Sequence, residues 1–223
     1  MVDLILLLFI SISLPLAMML FAVRGRTKMV FIFILCGLCS CLASANINTV
    51  MLNLLGVTKF YMTVNVTPIV EEISKLLPIL VYSFAFDPER NDLLEGGIAC
   101  GIGFSVLENA VILARAANNV TVLTAVVRGI GAGMMHALCV CISAYGISLF
   151  RKRKKWFLPG TVALVICAMT FHSLYNILVQ STYYYLGVAV NVVIYAVVLV
   201  ALRSKKGFYR NVPNRRKNRP NTI

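Results

Sequence analysis

The sequence predicts an all-α membrane protein: a polytopic bundle of about seven transmembrane helices, with the N-terminus outside and the C-terminus in the cytoplasm. Three observations carry that prediction. First, apolar residues make up 60% of the 223 residues and charged residues only 13%, against about 45–50% and about 25% in soluble domains. Second, apolar runs long enough to cross a bilayer, about 20 residues each, recur from one end of the chain to residue 202. Third, the basic residues alternate between loops as a chain threaded through a membrane requires. A water-soluble globule and a disordered basic chain are both excluded, the latter because it would need low hydrophobicity.

The spans fall at about 3–23, 29–52, 62–86, 93–116, 121–150, 157–179 and 184–202. The first run carries Asp3, lacks a basic leader and exceeds a usual signal core, so it reads as a retained helix rather than a cleavable signal. Connections are short, so residues 1–202 read as one transmembrane helical domain, with a core at about 62–180. Residues 203–223, with Pro213 and Pro220, read as a basic cytoplasmic tail.

Of 21 Lys and Arg residues, 17 fall in the first loop (Arg24, Arg26, Lys28), the third (Arg90), the fifth (Arg151–Lys155) and the tail. The alternate loops hold only Lys59 and Arg115. This asymmetry fixes the orientation and accounts for most of the +13 net charge. Membrane lipid is a partner for the tail and fifth loop. No domain is available to present these charges to a nucleic acid, so that partner is excluded.

The informative residues are the charges inside the spans. Glu71, Glu72 and Lys75 lie in the third helix and Glu108 in the fourth; Arg128 and His136 lie in the fifth, His172 in the sixth, with Asn109 and Asn176 beside them. An ionisable group at mid-membrane costs about 2.5–3.5 kcal/mol on insertion scales, so these groups must face one another or a wet cavity. Counted along the helices, Glu71, Glu72, Glu108 and His172 lie about 12–15 Å below the outer surface. Glu71 and Lys75 are four residues apart and can pair, as can His172 and Asn176, and Arg128 reads as a counter-charge for a glutamate. Glycines 97, 101, 103, 129, 131 and 133 would let the fourth and fifth helices close on the cluster. Seven cysteines, all within spans, read as small apolar residues.

Such a cluster could supply an acid and a base from two neighbouring carboxyl groups and activate water for attack on a carbonyl. Zinc held by Glu72, Glu108, His136 and His172 is the alternative chemistry. There is no H-E-x-x-H, so a metal would have to be gathered across helices.

Glu71-Glu72-x-x-Lys75, Phe104-x-x-x-Glu108-Asn109, His136 and His172-x-x-x-Asn176 stand on successive helices. In that order they resemble the PrsW family of intramembrane proteases, relatives of the CAAX-prenyl-protease and bacteriocin-processing superfamily and of the seven-helix scaffold subunit of γ-secretase. Asp92, ahead of the Gly-rich stretch of the fourth helix, matches too. The resemblance implies hydrolysis of a peptide bond in a single-pass membrane protein, on the extracytoplasmic side, as in site-1 cleavage of a bacterial anti-sigma factor. It implies a bacterial plasma-membrane location. The catalytic residues expected are Glu71, Glu72, Glu108, His136, His172 and Asn176, supported by Lys75, Asn109 and Arg128; the metal-free glutamic type is favoured, with no cofactor, and zinc is the alternative. A non-catalytic scaffold of the same fold and a proton-coupled transporter are the rival readings.

Overall fold

The computed structural model describes residues 4–22, 27–116 and 121–209. Among them the chain forms seven continuous helical rods and no strand. We label them α1 (Leu4–Ala22), α2 (Thr27–Leu55), α3 (59–85), α4 (Arg90–Arg115), α5 (122–152), α6 (Lys154–Val179) and α7 (Tyr184–Tyr209). Each predicted span coincides with one rod. At the C-terminal end the helix runs on to Tyr209, so the first residues assigned to a tail are helical. Arg24, Arg26 and the tail from residue 210 lie outside the described residues.

Four rods (α2, α4, α5 and α6) are long and apolar enough to cross a bilayer. α1 and α7 contribute shorter apolar stretches, Leu4–Met19 and Tyr184–Val200. The third rod carries Glu71, Glu72 and Lys75 in its middle. Large apolar side chains point outward throughout: Phe9, Phe31, Leu42, Val81, Leu158 and Val197 are all exposed. A water-soluble protein would bury most of these, whereas a lipid-facing surface requires them.

α4 is the central rod. Its residues Leu93–Ser105 are buried without interruption. At its start Glu89 and Asp92 form a capping box. Glycine sets the spacing to its neighbours: a Cβ on Gly37 would run into the Cys100 backbone of α4, and one on Gly101 into the His136 backbone of α5. Close approach of α4 to both α2 and α5 follows from those two positions. The other glycines of α5 differ from expectation. Gly129 and Gly133 face Leu14 and Pro15 of α1, and Gly131 faces Tyr175, so they admit α1 and α6 rather than α4.

Three rods contain a wider, π-helical turn: Met62–Val66 in α3, Arg128–Ala132 in α5 and Phe157–Val162 in α6. The first has an identifiable cause. Pro68 has no N–H to give to the Val64 carbonyl, and in the wider register Thr67 N–H goes to Met62 and passes over the Thr63 carbonyl. Both are taken by α6: Asn176 Nδ2 donates to the Thr63 carbonyl (3.0 Å) and Ser173 Oγ to that of Val64 (2.6 Å). The second is served likewise, by Asn109 on the Arg128 carbonyl (3.3 Å) and Asn191 on that of Gly131 (2.9 Å). Three side-chain amides and a hydroxyl thus satisfy backbone groups that cannot be left bare in lipid.

At the far end, Arg151 pairs with Asp87 and donates to the Pro88 carbonyl. The α3–α4 and α5–α6 turns therefore share one end of the bundle.

Candidate active site

The polar residues of four rods meet in one cluster. On α3, Glu72 and Lys75 are buried, at 2% and 0% exposure. Lys75 Nζ donates to Glu72 Oε1 at 2.6 Å and stands 2.8 Å from His136 Nδ1. It also lies 4.5 Å from the centre of the Phe104 ring, a cation–π contact in a desolvated place. The expected Glu71–Lys75 pair is not formed. Successive residues on a helix are turned by about 100°, and the lysine, swung toward α5, meets Glu72 instead.

His172 comes from α6. Its Nδ1 is 2.8 Å from Glu72 Oε1, and its Nε2 is 3.8 Å from Glu71 Oε2. A ring nitrogen at that distance from a carboxylate carries the proton, which leaves the Nε2 lone pair directed toward Glu71. His136 lies edge to face against His172, ring centres 5.0 Å apart. Its Nε2 meets Glu108 Oε2 at 3.0 Å. Arg128 Nη2 reaches the same oxygen at 3.2 Å, and Arg128 Nε donates to Asn109 Oδ1 at 3.0 Å. Arg128 is thus a glutamate's counter-charge, as its position in the sequence suggests.

Two oxygens are left over. Glu71 Oε2 and Glu72 Oε2 are both buried without a hydrogen-bond partner. A bare carboxylate oxygen in the interior costs at least about 1–3 kcal/mol, so the pair marks a place meant for a further donor or a cation. Glu71 also lines a cavity of 320 Å³, together with Glu108. The helices α2 and α4 touch at Gly37 and Cys100 and part beyond it, so that the cavity runs along Cys41–Leu52 of α2 and Leu107–Arg115 of α4. Met62, Thr63 and Lys59 of α3 complete its wall.

Of the nine residues singled out in the sequence, eight gather here. Asn176 does not: its amide is spent on the Thr63 carbonyl. The residues that sequence reasoning missed are Ser173 and Asn191, together with the π-helical turns. Pro68 was the available signal for Ser173 and the turn in α3.

The fold and this cluster define a class: a multi-pass integral membrane protein with a buried carboxylate–imidazole centre opening to an intramembrane cavity. The family model described as "PrsW family intramembrane metalloprotease" matches residues 25–202. The chain belongs to that family and is an intramembrane protease. No curated protein and no solved structure matches it.

The family description implies a metal, and the donor set fits one. Glu71, His136 and His172 can each offer an atom within 4.8 Å of the others. Glu71 Oε2 and His172 Nε2 are free to bind, and Glu72 behind His172 orients the ring as carboxylates behind metal-bound imidazoles do; His136, whose ring nitrogens meet Lys75 and Glu108, would bind only by giving up one of them. This set differs from the one expected from sequence. Glu72 is held by Lys75 and His172, and Glu108 by Arg128 and His136, which leaves Glu71 as the unengaged carboxylate.

Proposed function

We propose that the chain is an endopeptidase that cleaves a single-pass membrane protein near the extracytoplasmic face of a bacterial plasma membrane, with an anti-sigma factor as the substrate. Glu71 is the general base. The observation that carries this is its unpartnered Oε2, buried on the cavity wall 3.8 Å from His172 Nε2. A water between these two acceptors donates a hydrogen to each and turns its lone pair outward, toward a peptide carbonyl in the cavity.

Glu71 takes one proton as the water oxygen bonds to the carbonyl carbon. The C–N bond then breaks, and the same proton passes to the leaving nitrogen. Proton transfer by a positioned group contributes typically about 10²–10⁴-fold. Arg128 has guanidinium N–H groups beyond those given to Glu108 and Asn109, which suits it to the developing oxyanion. Lys75 stays inside and fixes Glu72 and His136. In a metal form Glu71, His136 and His172 would hold the ion, which would acidify the attacking water, and Glu71 would serve as a ligand in place of the base.

The test is cleavage of a single-pass substrate by protein reconstituted in liposomes. Glu71→Gln, shown to be folded, should lose at least about 10² in rate; full cleavage by that variant removes Glu71 from the mechanism. Loss of activity on chelation, with recovery on adding Zn²⁺ and one metal per chain by mass spectrometry, assigns the metal form. Cleavage indifferent to chelation by metal-free protein assigns the glutamic form.

A further inference from the structure

The alternate loops contain only two basic residues, Lys59 and Arg115. Nothing in the positive-inside rule asks for them there. In the fold both line the same cavity, the one whose floor carries Glu71 and Glu108. Lys59 opens α3 and Arg115 closes α4, so both stand at the cavity's outer end. Both are exposed, and among the described residues neither forms an ion pair. Between the cations and the floor the wall is partly polar, with Ser44, Asn48, Thr49 and Thr63. Asn48 Oδ1 is buried and without a donor. An acceptor in that state suits a backbone N–H, which a peptide has and an acyl chain lacks.

We propose that Lys59 and Arg115 select substrates carrying an acidic side chain on the extracytoplasmic side of the cleaved bond. This rests on the proteolytic reading of the same cavity. Arg115 lies seven residues along α4 from Glu108, about 10 Å, and Lys59 twelve along α3 from Glu71, about 18 Å. An extended peptide advances about 3.3 Å per residue. The Asp or Glu therefore sits about three to five residues from the scissile bond, toward the outside. Asn48 holds the backbone of the segment between. The low-dielectric walls strengthen the attraction that two exposed cations would have in open water.

The test uses the full chain with Glu71→Gln, in neutral-lipid nanodiscs, so that binding is read without turnover. Two labelled peptides share an apolar segment and differ in Asp against Asn at those outer positions. The Asp peptide should bind about tenfold more tightly at low salt, an advantage that shrinks as the Debye length falls from about 30 to about 3 Å. Adding Lys59→Gln and Arg115→Gln should bring the ratio to about one. Lys59→Glu with Arg115→Glu should instead favour a Lys peptide, so a lost preference cannot be mistaken for lost folding. Equal binding of Asp and Asn peptides, no binding of either, or a preference that survives the substitutions overturns the proposal. So does anionic lipid in the nanodisc that erases the preference, since the cations then serve headgroups. Cleavage by the wild type without acid preference sinks this inference and leaves the protease reading; acid-selective binding without any cleavage does the reverse.

Discussion

Glu71 and Glu72 are neighbours in the chain and belong to different regions of the molecule. Glu72 is in an inner knot, where one of its oxygens takes both the Lys75 ammonium and the His172 ring N–H. Lys75, His136 and His172 around it are all at 2% exposure or less. Glu71 is in a cavity wall with Glu108, and no hydrogen bond holds it. Arg128 and Glu108 on that side keep about a fifth of their side-chain surface open, at 21% and 23%. The same residue type is thus held in a knot of ion pairs in one place and left with a bare oxygen on a cavity wall one residue away. What decides is the set of neighbours: both carboxylates keep one bare oxygen, but that of Glu72 lies inside the knot that fixes its other oxygen, while that of Glu71 lies on the cavity wall.

The largest expected effects test that division directly. Glu71→Gln should abolish turnover, by at least about 10²-fold, and leave thermal unfolding in detergent nearly unchanged. Glu72→Ala should do the opposite. It strands a buried ammonium and an imidazole, and removing one partner of a buried ion pair costs about 3–5 kcal/mol, so the melting transition should fall steeply or vanish. Glu72→Ala protein that melts like the wild type, or Glu71→Gln protein that does not fold, would invert the comparison.

A smaller effect separates the knot's geometry from its charges. Gly101 faces the His136 backbone so closely that a Cβ there forces α4 and α5 apart. Gly101→Ala changes no polar group yet moves His136 away from Lys75. Overpacking of this kind costs about 1–3 kcal/mol, and the loss should fall on kcat more than on KM. A kcat equal to that of the wild type would show that His136 need not be held at its present position.

The spans were legible because a bilayer leaves few options: each rod had to be an apolar run, and the charges had to converge. The pairing within the cluster was less legible. Spacing allows Glu71–Lys75, but the rotation of α3 against α5 and α6 selects Glu72, and rotation is set by tertiary contacts such as Gly101 on His136. The π-helical turns were not foreseen because a widened turn depends on which carbonyls lose their donors and who replaces them. Ser173 and Asn191 look like incidental polar residues until Val64 and Gly131 present bare carbonyls to them. The cavity was invisible for a similar reason, since it exists only where α2 and α4 part beyond Gly37.

Asn176 offers the smallest effect and the sharpest discrimination. If its amide held an oxyanion, Asn176→Ala would lower kcat by about 10²–10³ without touching stability. If it straps the turn in α3, the cost is that of one polar contact in a membrane, about 0.6 kcal/mol, together with a modest loss of activity as Glu71 shifts. Pro68 makes the two accounts separable. Replacing it by Ala restores an N–H for the Val64 carbonyl and lets the turn tighten, with Thr67 N–H back on Thr63, so Pro68→Ala should reduce the need for Asn176 and Ser173. In a double-mutant cycle read by thermal unfolding, Asn176→Ala should cost less in the Pro68→Ala background than alone. Additive costs, with the activity loss of Asn176→Ala undiminished by Pro68→Ala, would return Asn176 to the reacting atoms.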